Sequence, residues 1–97
     1  MVVLVDERGL SMVEKKVSVK NEHGLHARPA ALFVQKASSY PFAISVEKEG
    51  KSANAKSIIS VMTLTVKQGD EVILKSEGEN AQEALDALEQ ILIGVEA

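Results

Sequence analysis

Val13, Val17 and Val19 are separated by charged and hydroxylic residues, the period-two pattern of a half-buried strand over residues 13–19. Past Asn21-Glu22-His23-Gly24 the period changes. Ala30, Phe33, Val34 and Ala37 stand at i, i+3, i+4 and i+7, so Ala27 to Ala37 reads as a helix. Alternation returns at Phe42, Ile44 and Val46. With a Glu49-Gly50 turn and the small residues alternating from Ser52 to Ala55, it makes 42–55 a hairpin. Val72, Ile73 and Leu74, preceded by Gln68-Gly69-Asp70, supply a fourth strand. The last element is a helix carrying Ala81, Ala84, Leu85, Leu88, Ile91 and Leu92 as one stripe. Asn80 and Glu83 imitate a capping box before it, and Gly94 follows its end.

Ser57 to Leu64 does not fit a one-sided pattern. At about 100° per residue, Ile58, Ile59, Val61, Met62 and Leu64 cover an arc of roughly 220°, wider than a single buried face needs. Either a short helix tucks both flanks under neighbouring loops, or part of this apolar surface is an exposed docking patch. The resulting order, β-α-β-β-α-β-α, predicts a two-layer α+β domain, an antiparallel sheet with helices on one face.

Composition narrows the function classes. Ninety-seven residues, 45% apolar and 26% charged, suit one small globular domain rather than a two-domain enzyme or a disordered tail. Phe33, Tyr40 and Phe42 are the only aromatics, and the net charge is −3, so neither a stacking platform nor a basic footprint for nucleic acid is expected. With no cysteine there is no disulfide, thiolate nucleophile or cysteine metal site, which suits a reducing cytoplasm. No apolar run approaches the roughly 20 residues of a membrane span, and Met1 to Val5 lacks the basic start of a secretory signal. Residues 1–56 carry a net +3 and residues 57–97 a net −6. A basic surface built from the first half would draw an acidic partner or a phosphoryl group.

Candidate chemistry centres on Gly24-Leu25-His26-Ala27-Arg28-Pro29. A histidine where a turn feeds a helix sits by unsatisfied backbone N–H groups and the positive end of the helix dipole, where an anion such as phosphate is stabilised. Arg28 can fork onto phosphoryl oxygens. Pro29 fits a first helical turn because its missing N–H has no partner there. On chemistry alone, His26 is either this site or an ordinary helix-start histidine. His23 and His26 could suggest a metal, but no third histidine, cysteine or carboxylate pair completes a ligand set, so no metal or cofactor is expected. A small hydrolase with a general-base histidine lacks a carboxylate partner. Ser57 reads as the N-cap of the short helix. A phosphate on it would put charge beside Ile58, Ile59 and Met62.

With Gly24-Leu25-His26-Ala27-Arg28-Pro29-Ala30 and Lys56-Ser57-Ile58-Ile59-Ser60-Val61-Met62, the chain resembles HPr, the histidine-containing phosphocarrier family of the bacterial sugar phosphotransferase system, from about Val13 to Ile93. The resemblance implies an open-faced β-sandwich, four antiparallel strands covered on one face by three helices. It implies that His26 takes a phosphoryl group on Nδ1 from phosphorylated enzyme I and passes it to IIA domains of sugar permeases, with Arg28 stabilising the group. Ser57 would be the site of HPr kinase/phosphorylase, its phosphorylation hindering enzyme I and promoting binding to catabolite control protein A. Ala31, Ile58, Ile59 and Met62 fall on the family's partner-docking surface.

The family's Ser-Ile-Met-Gly run is Ser57-Ile58-Ile59-Ser60 here, which changes the patch and removes a glycine. Nitrogen-type HPr proteins share the histidine without a sugar role. The catabolite-repression homologue Crh lacks it, so His26 argues against Crh, while a regulatory binding module acting through Ser57 stays an alternative. The family is usually monomeric. Residues 1–11 lie outside its pattern and are expected to be an extension, non-native or disordered, on a single domain spanning 12–97.

Overall fold

The computed structural model describes residues 2–5, 11–22, 24–25, 28–78 and 80–94. Its elements are β1 (Val2–Val5), β2 (Ser11–Ser18), α1 (Arg28–Ser38), β3 (Ile44–Lys48), β4 (Lys51–Asn54), α2 (Ile58–Thr63), β5 (Glu71–Glu77) and α3 (Ala81–Leu92). The strands form one sheet in the order β1-β2-β5-β3-β4, antiparallel throughout. The four expected strands and three helices are all present, as the α+β open-faced sandwich. β2 runs over 11–18 rather than 13–19, and β5 extends beyond its apolar trio to Glu77 because charged residues occupy its solvent-facing positions.

Val2–Val5 fall within the extension expected over residues 1–11. These residues pair with β2 as a fifth, edge strand, Val2 opposite Glu14 and Val5 opposite Ser11. A short apolar, charge-free segment close in sequence to an open strand edge gains ladder hydrogen bonds at small loop-closure cost.

Alternation along the strands divides the sheet into two faces. Val13 and Val17 of β2, Val72 and Leu74 of β5, and Ile44 and Val46 of β3 are buried under the helices. Their neighbours Glu47, Ile73 and Lys75 stand on the open face. Phe33, Leu85, Leu88 and Leu92 fill the helix layer and are fully buried. Lys15 shares a face with Val13 and Val17, yet it lies near the sheet edge. Its ammonium reaches Asp86 and Glu89 of α3, each at 2.6 Å, so a core-facing lysine keeps its charge satisfied. Ser76, the buried polar residue of the described core, donates to the Ala43 carbonyl at 2.7 Å.

Turn chemistry closes the hairpin as expected. Glu49 (φ 51°) and Gly50 (φ 81°) form a two-residue loop with both φ positive, matched to the twist of β3 and β4. Gly94 takes φ 82° just past α3, donating its N–H to the Ile91 carbonyl at 3.2 Å. The capping box does not form: Asn80 occupies the N-cap position at φ −107°, ψ 23°, and its side chain makes no cap hydrogen bond. That backbone conformation departs from the extended one an N-cap side chain needs to reach back to the first turn.

Candidate functional site

The site is assembled from the lead-in to α1, the start of α1, and α2. His26, with His23 and Ala27, lies outside the described residues; Gly24, Leu25 and Arg28 around it are described. Gly24 has φ 58°, and a Cβ there would run into the Val66 carbonyl and lie 2.8 Å from Lys67 Cα. Only glycine lets the two backbones approach so closely. Leu25 is buried, and its N–H donates to the Val66 carbonyl at 3.1 Å. Asn21 fixes the other side: its Nδ2 donates to the carbonyls of Gly24 and Ile91, each at 3.1 Å, while its own N–H donates to the Leu92 carbonyl at 3.0 Å. The stretch before His26 is thus bound to the end of α3 and to the segment following α2.

Helix α1 runs over Arg28–Ser38, one residue later at each end than the expected Ala27–Ala37, with Pro29 in its first turn. Arg28 is exposed, and among the described residues it forms no ion pair or hydrogen bond. No acidic side chain occupies the first turn of α1, where the helix dipole is positive. Ala30, Phe33 and Ala37 point into the core. Pro29 and Leu32 line a cleft with Ile91 and Ile93 on the α3 side. At 100° per residue, Ala31 then falls on the opposite flank, toward α2, which packs against α1. Ala31 is exposed there.

Helix α2 presents two faces. Val61 and Leu64 are buried, whereas Ile58 and Met62 are each 38% exposed and Ile59 is 77% exposed. The wide apolar arc is therefore an uncovered patch, not a pair of flanks tucked under loops. Ser57 is the N-cap, with φ −114° and ψ 114°, and its Oγ accepts the Ser60 N–H at 3.3 Å. Lys56 anchors this turn, its Nζ donating to the Tyr40 carbonyl at 2.6 Å and its N–H to Asn54 Oδ1 at 2.9 Å. Ser60 stands where the resemblance expects glycine and lends its N–H to the cap.

Several contributors carry no signal that alternation or helical spacing could reveal. Asn21 looks like a turn residue in sequence, yet it ties three segments together. Thr65, a β-branched residue directly after α2, adopts φ 53°. Lys48 at the end of β3 donates to the Thr65 carbonyl at 2.8 Å and pairs with Asp70 at 2.8 Å. Its hydrogen bond, followed by the Lys67 N–H, draws the Asp70 carboxyl below the usual carboxylate range. Part of the positive charge of the first half is neutralised: Lys15, Lys16 and Lys48 pair with carboxylates of the second half. Among the described residues no group of three or more histidine and carboxylate side chains could hold a metal. No helix there is long and apolar enough to cross a membrane.

Comparison with known proteins places this geometry in context. The family described as "PTS HPr component phosphorylation site" matches residues 13–93. HPr-like protein Crh of Halalkalibacterium halodurans is 52% identical over 77 residues, covering 79% of this chain and 92% of its own length. Phosphocarrier protein HPr of Buchnera aphidicola is 40% identical over 85 residues, covering 88% of this chain and all of that relative. The crystal structure of a phosphocarrier protein HPr from Bacillus anthracis superposes with a TM-score of 0.81 at 47% identity, covering 84% of this chain and 96% of that one.

Proposed function

The chain belongs to the HPr family, and on that premise we propose that it is a phosphoryl carrier in which His26 accepts the group from phosphorylated enzyme I and donates it to IIA domains of sugar permeases. The observation that carries this reading is the His26-Ala27-Arg28-Pro29 run at the start of α1, inside the stretch matched to the phosphorylation-site family. His26 Nδ1 attacks the phosphorus, and the bond to the donor breaks as the new P–N bond forms. The same exchange with a IIA acceptor returns the free imidazole. Arg28, whose side chain is exposed and unpaired among the described residues, is in this reading the group that meets the phosphoryl oxygens, helped by the backbone N–H groups at the start of α1. Nothing is turned over, so the protein acts as a carrier rather than an enzyme.

Each partner must reach one histidine in turn, which favours an open site over a pocket. Ala31, Ile58, Ile59 and Met62 supply the apolar surface on which those partners seat. Residues 12–97 carry this function, as a monomer in the cytoplasm, and β1 is accessory to it.

A second reading is favoured by one observation: the identity to Crh, 52%, exceeds that to the Buchnera HPr, 40%. It makes Ser57 the modified residue of a regulatory module. A phosphate at the α2 N-cap, beside Ile58, would repel an acidic partner and recruit a basic one, as expected for enzyme I and catabolite control protein A respectively. His26 would be dispensable for it. A reconstituted relay of phosphoenolpyruvate, Mg²⁺, enzyme I, this chain and a IIA domain decides between them. Phosphate is expected to reach IIA with wild type and Ser57→Ala but not with His26→Ala. A relay that is inactive with wild type, while another HPr supports it, leaves the Ser57 reading in place.

A further inference from the structure

The segment from Thr65 to Asp70 joins α2 to β5 and also holds the lead-in to α1. Thr65 sits at φ 53°, a backbone state that strains a β-branched residue. Such a residue persists only where its surroundings over-determine it. Three hydrogen bonds do so here. The Thr65 N–H donates to the Met62 carbonyl at 3.1 Å, its Oγ1 donates to the Thr63 carbonyl at 3.3 Å, and the Thr65 carbonyl accepts from Lys48 Nζ at 2.8 Å. The same ammonium lies 2.8 Å from Asp70 Oδ2, and that oxygen accepts the Lys67 N–H at 2.9 Å. From the end of β3, Lys48 therefore grips both ends of the segment. Its side chain is 14% exposed and that of Asp70 is 29% exposed.

Between the gripped ends, the Val66 carbonyl receives the Leu25 N–H at 3.1 Å. Backbone bonds with Val19 secure Gly69 and Asp70, but they do not reach Thr65. We propose that Lys48 is a positioning residue for the phosphoryl acceptor, holding the Thr65 carbonyl and the Asp70 carboxylate so that Val66 fixes Leu25 and with it the approach to His26. This rests on the reading of His26 as the acceptor. Lys48 acts through the backbone and never touches the phosphoryl group.

The test uses the full chain as wild type, Lys48→Met and Lys48→Arg, the two Lys48 variants being repeated with Thr65→Gly. Three quantities are read: amide exchange at Leu25, the titration of the His26 imidazole by NMR, and phosphorylation by enzyme I resolved into kcat and KM. In Lys48→Met the Leu25 amide is expected to exchange at least about tenfold faster while the Phe33 and Leu88 amides hold their rates. The His26 midpoint shifts and kcat falls severalfold with KM little changed, because the α2 patch is untouched. Lys48→Arg restores all three. With glycine at 65 the conformation needs no clasp, so the effect of Lys48→Met shrinks.

Unchanged Leu25 exchange and His26 titration in a folded Lys48→Met would overturn the proposal, as would acceleration shared equally by Phe33. If Lys48→Met does not fold, Asp70→Asn, which keeps the Thr65 bond, is expected to give a smaller effect of the same kind, and no effect counts against the proposal. A wild type that takes up no phosphate refutes the acceptor reading instead, while Leu25 exchange still decides whether Lys48 holds the segment.

Discussion

Gly24 shows how one missing methyl group can decide a site. Its φ of 58° and the Val66 carbonyl packed against it leave no room for a Cβ. Gly24→Ala has to enter a left-handed conformation and displace the segment that holds Leu25, at a cost of about 2–3 kcal/mol. The variant is expected to show that loss in urea unfolding with an unchanged m-value, and slower phosphoryl uptake at temperatures where it stays folded. The glycine stands out in the sequence only as part of a turn. Its close approach to a backbone some forty residues away belongs to the tertiary structure. The same is true of Thr65, whose left-handed backbone contradicts its own β-branched preference and is visible only once the Lys48 and Met62 contacts are known.

At the scale of elements, α2 sets a core side chain and an exposed apolar one within six residues. Val61 is fully buried and Ile59 is 77% exposed. Val61→Ala is expected to cost about 2 kcal/mol with little effect on transfer measured in the folded protein. Ile59→Asp is expected to change stability by less than about 0.5 kcal/mol, yet to raise the KM of enzyme I for this carrier about tenfold or more. Chemical denaturation and steady-state transfer kinetics read the two effects separately.

Helical spacing made this division legible, because five apolar residues spread over too wide an arc cannot all be buried by one neighbour. Alternation likewise located β2 and β3, an apolar trio behind a turn located β5, and the stripe through Leu85 and Leu88 located α3. Where the sequence misled, a local pattern stood for a geometry that never formed. Asn80 and Glu83 have capping-box spacing, but the Asn80 backbone turns away from it. The edge strand β1 escaped because four apolar residues carry no alternation, and its pairing is a property of the open β2 edge.

At the scale of the molecule, charge pairs join the two halves of the chain, and their titration sets the pH range of stability. The Asp70 carboxyl lies below its usual value of 3.8. Its contribution is therefore present above that value and is lost as pH falls through the lower folded value. Burial opposes charge on Lys15, but the hydrogen bonds it donates to Asp86 and Glu89, with the attraction of those carboxylates, outweigh it and raise the ammonium above 10.5. Its contribution is present below 10.5 and is lost as pH rises through the raised value. Tm is expected to be level from about pH 5 to 9 and to fall on both sides. Lys48→Met should flatten the acid limb and Lys15→Met the alkaline limb, and a scan in which neither substitution alters its limb would refute this assignment.

The carrier reading itself requires one covalent adduct at one residue. Intact mass of wild type and His26→Ala, taken after incubation with phosphoenolpyruvate, Mg²⁺ and enzyme I and again after acid treatment, measures it directly. The account predicts a single phosphoryl increment on wild type that acid removes and that His26→Ala never acquires. No increment on wild type, with an enzyme I active on another HPr, or an acid-stable increment that persists in His26→Ala, would contradict it.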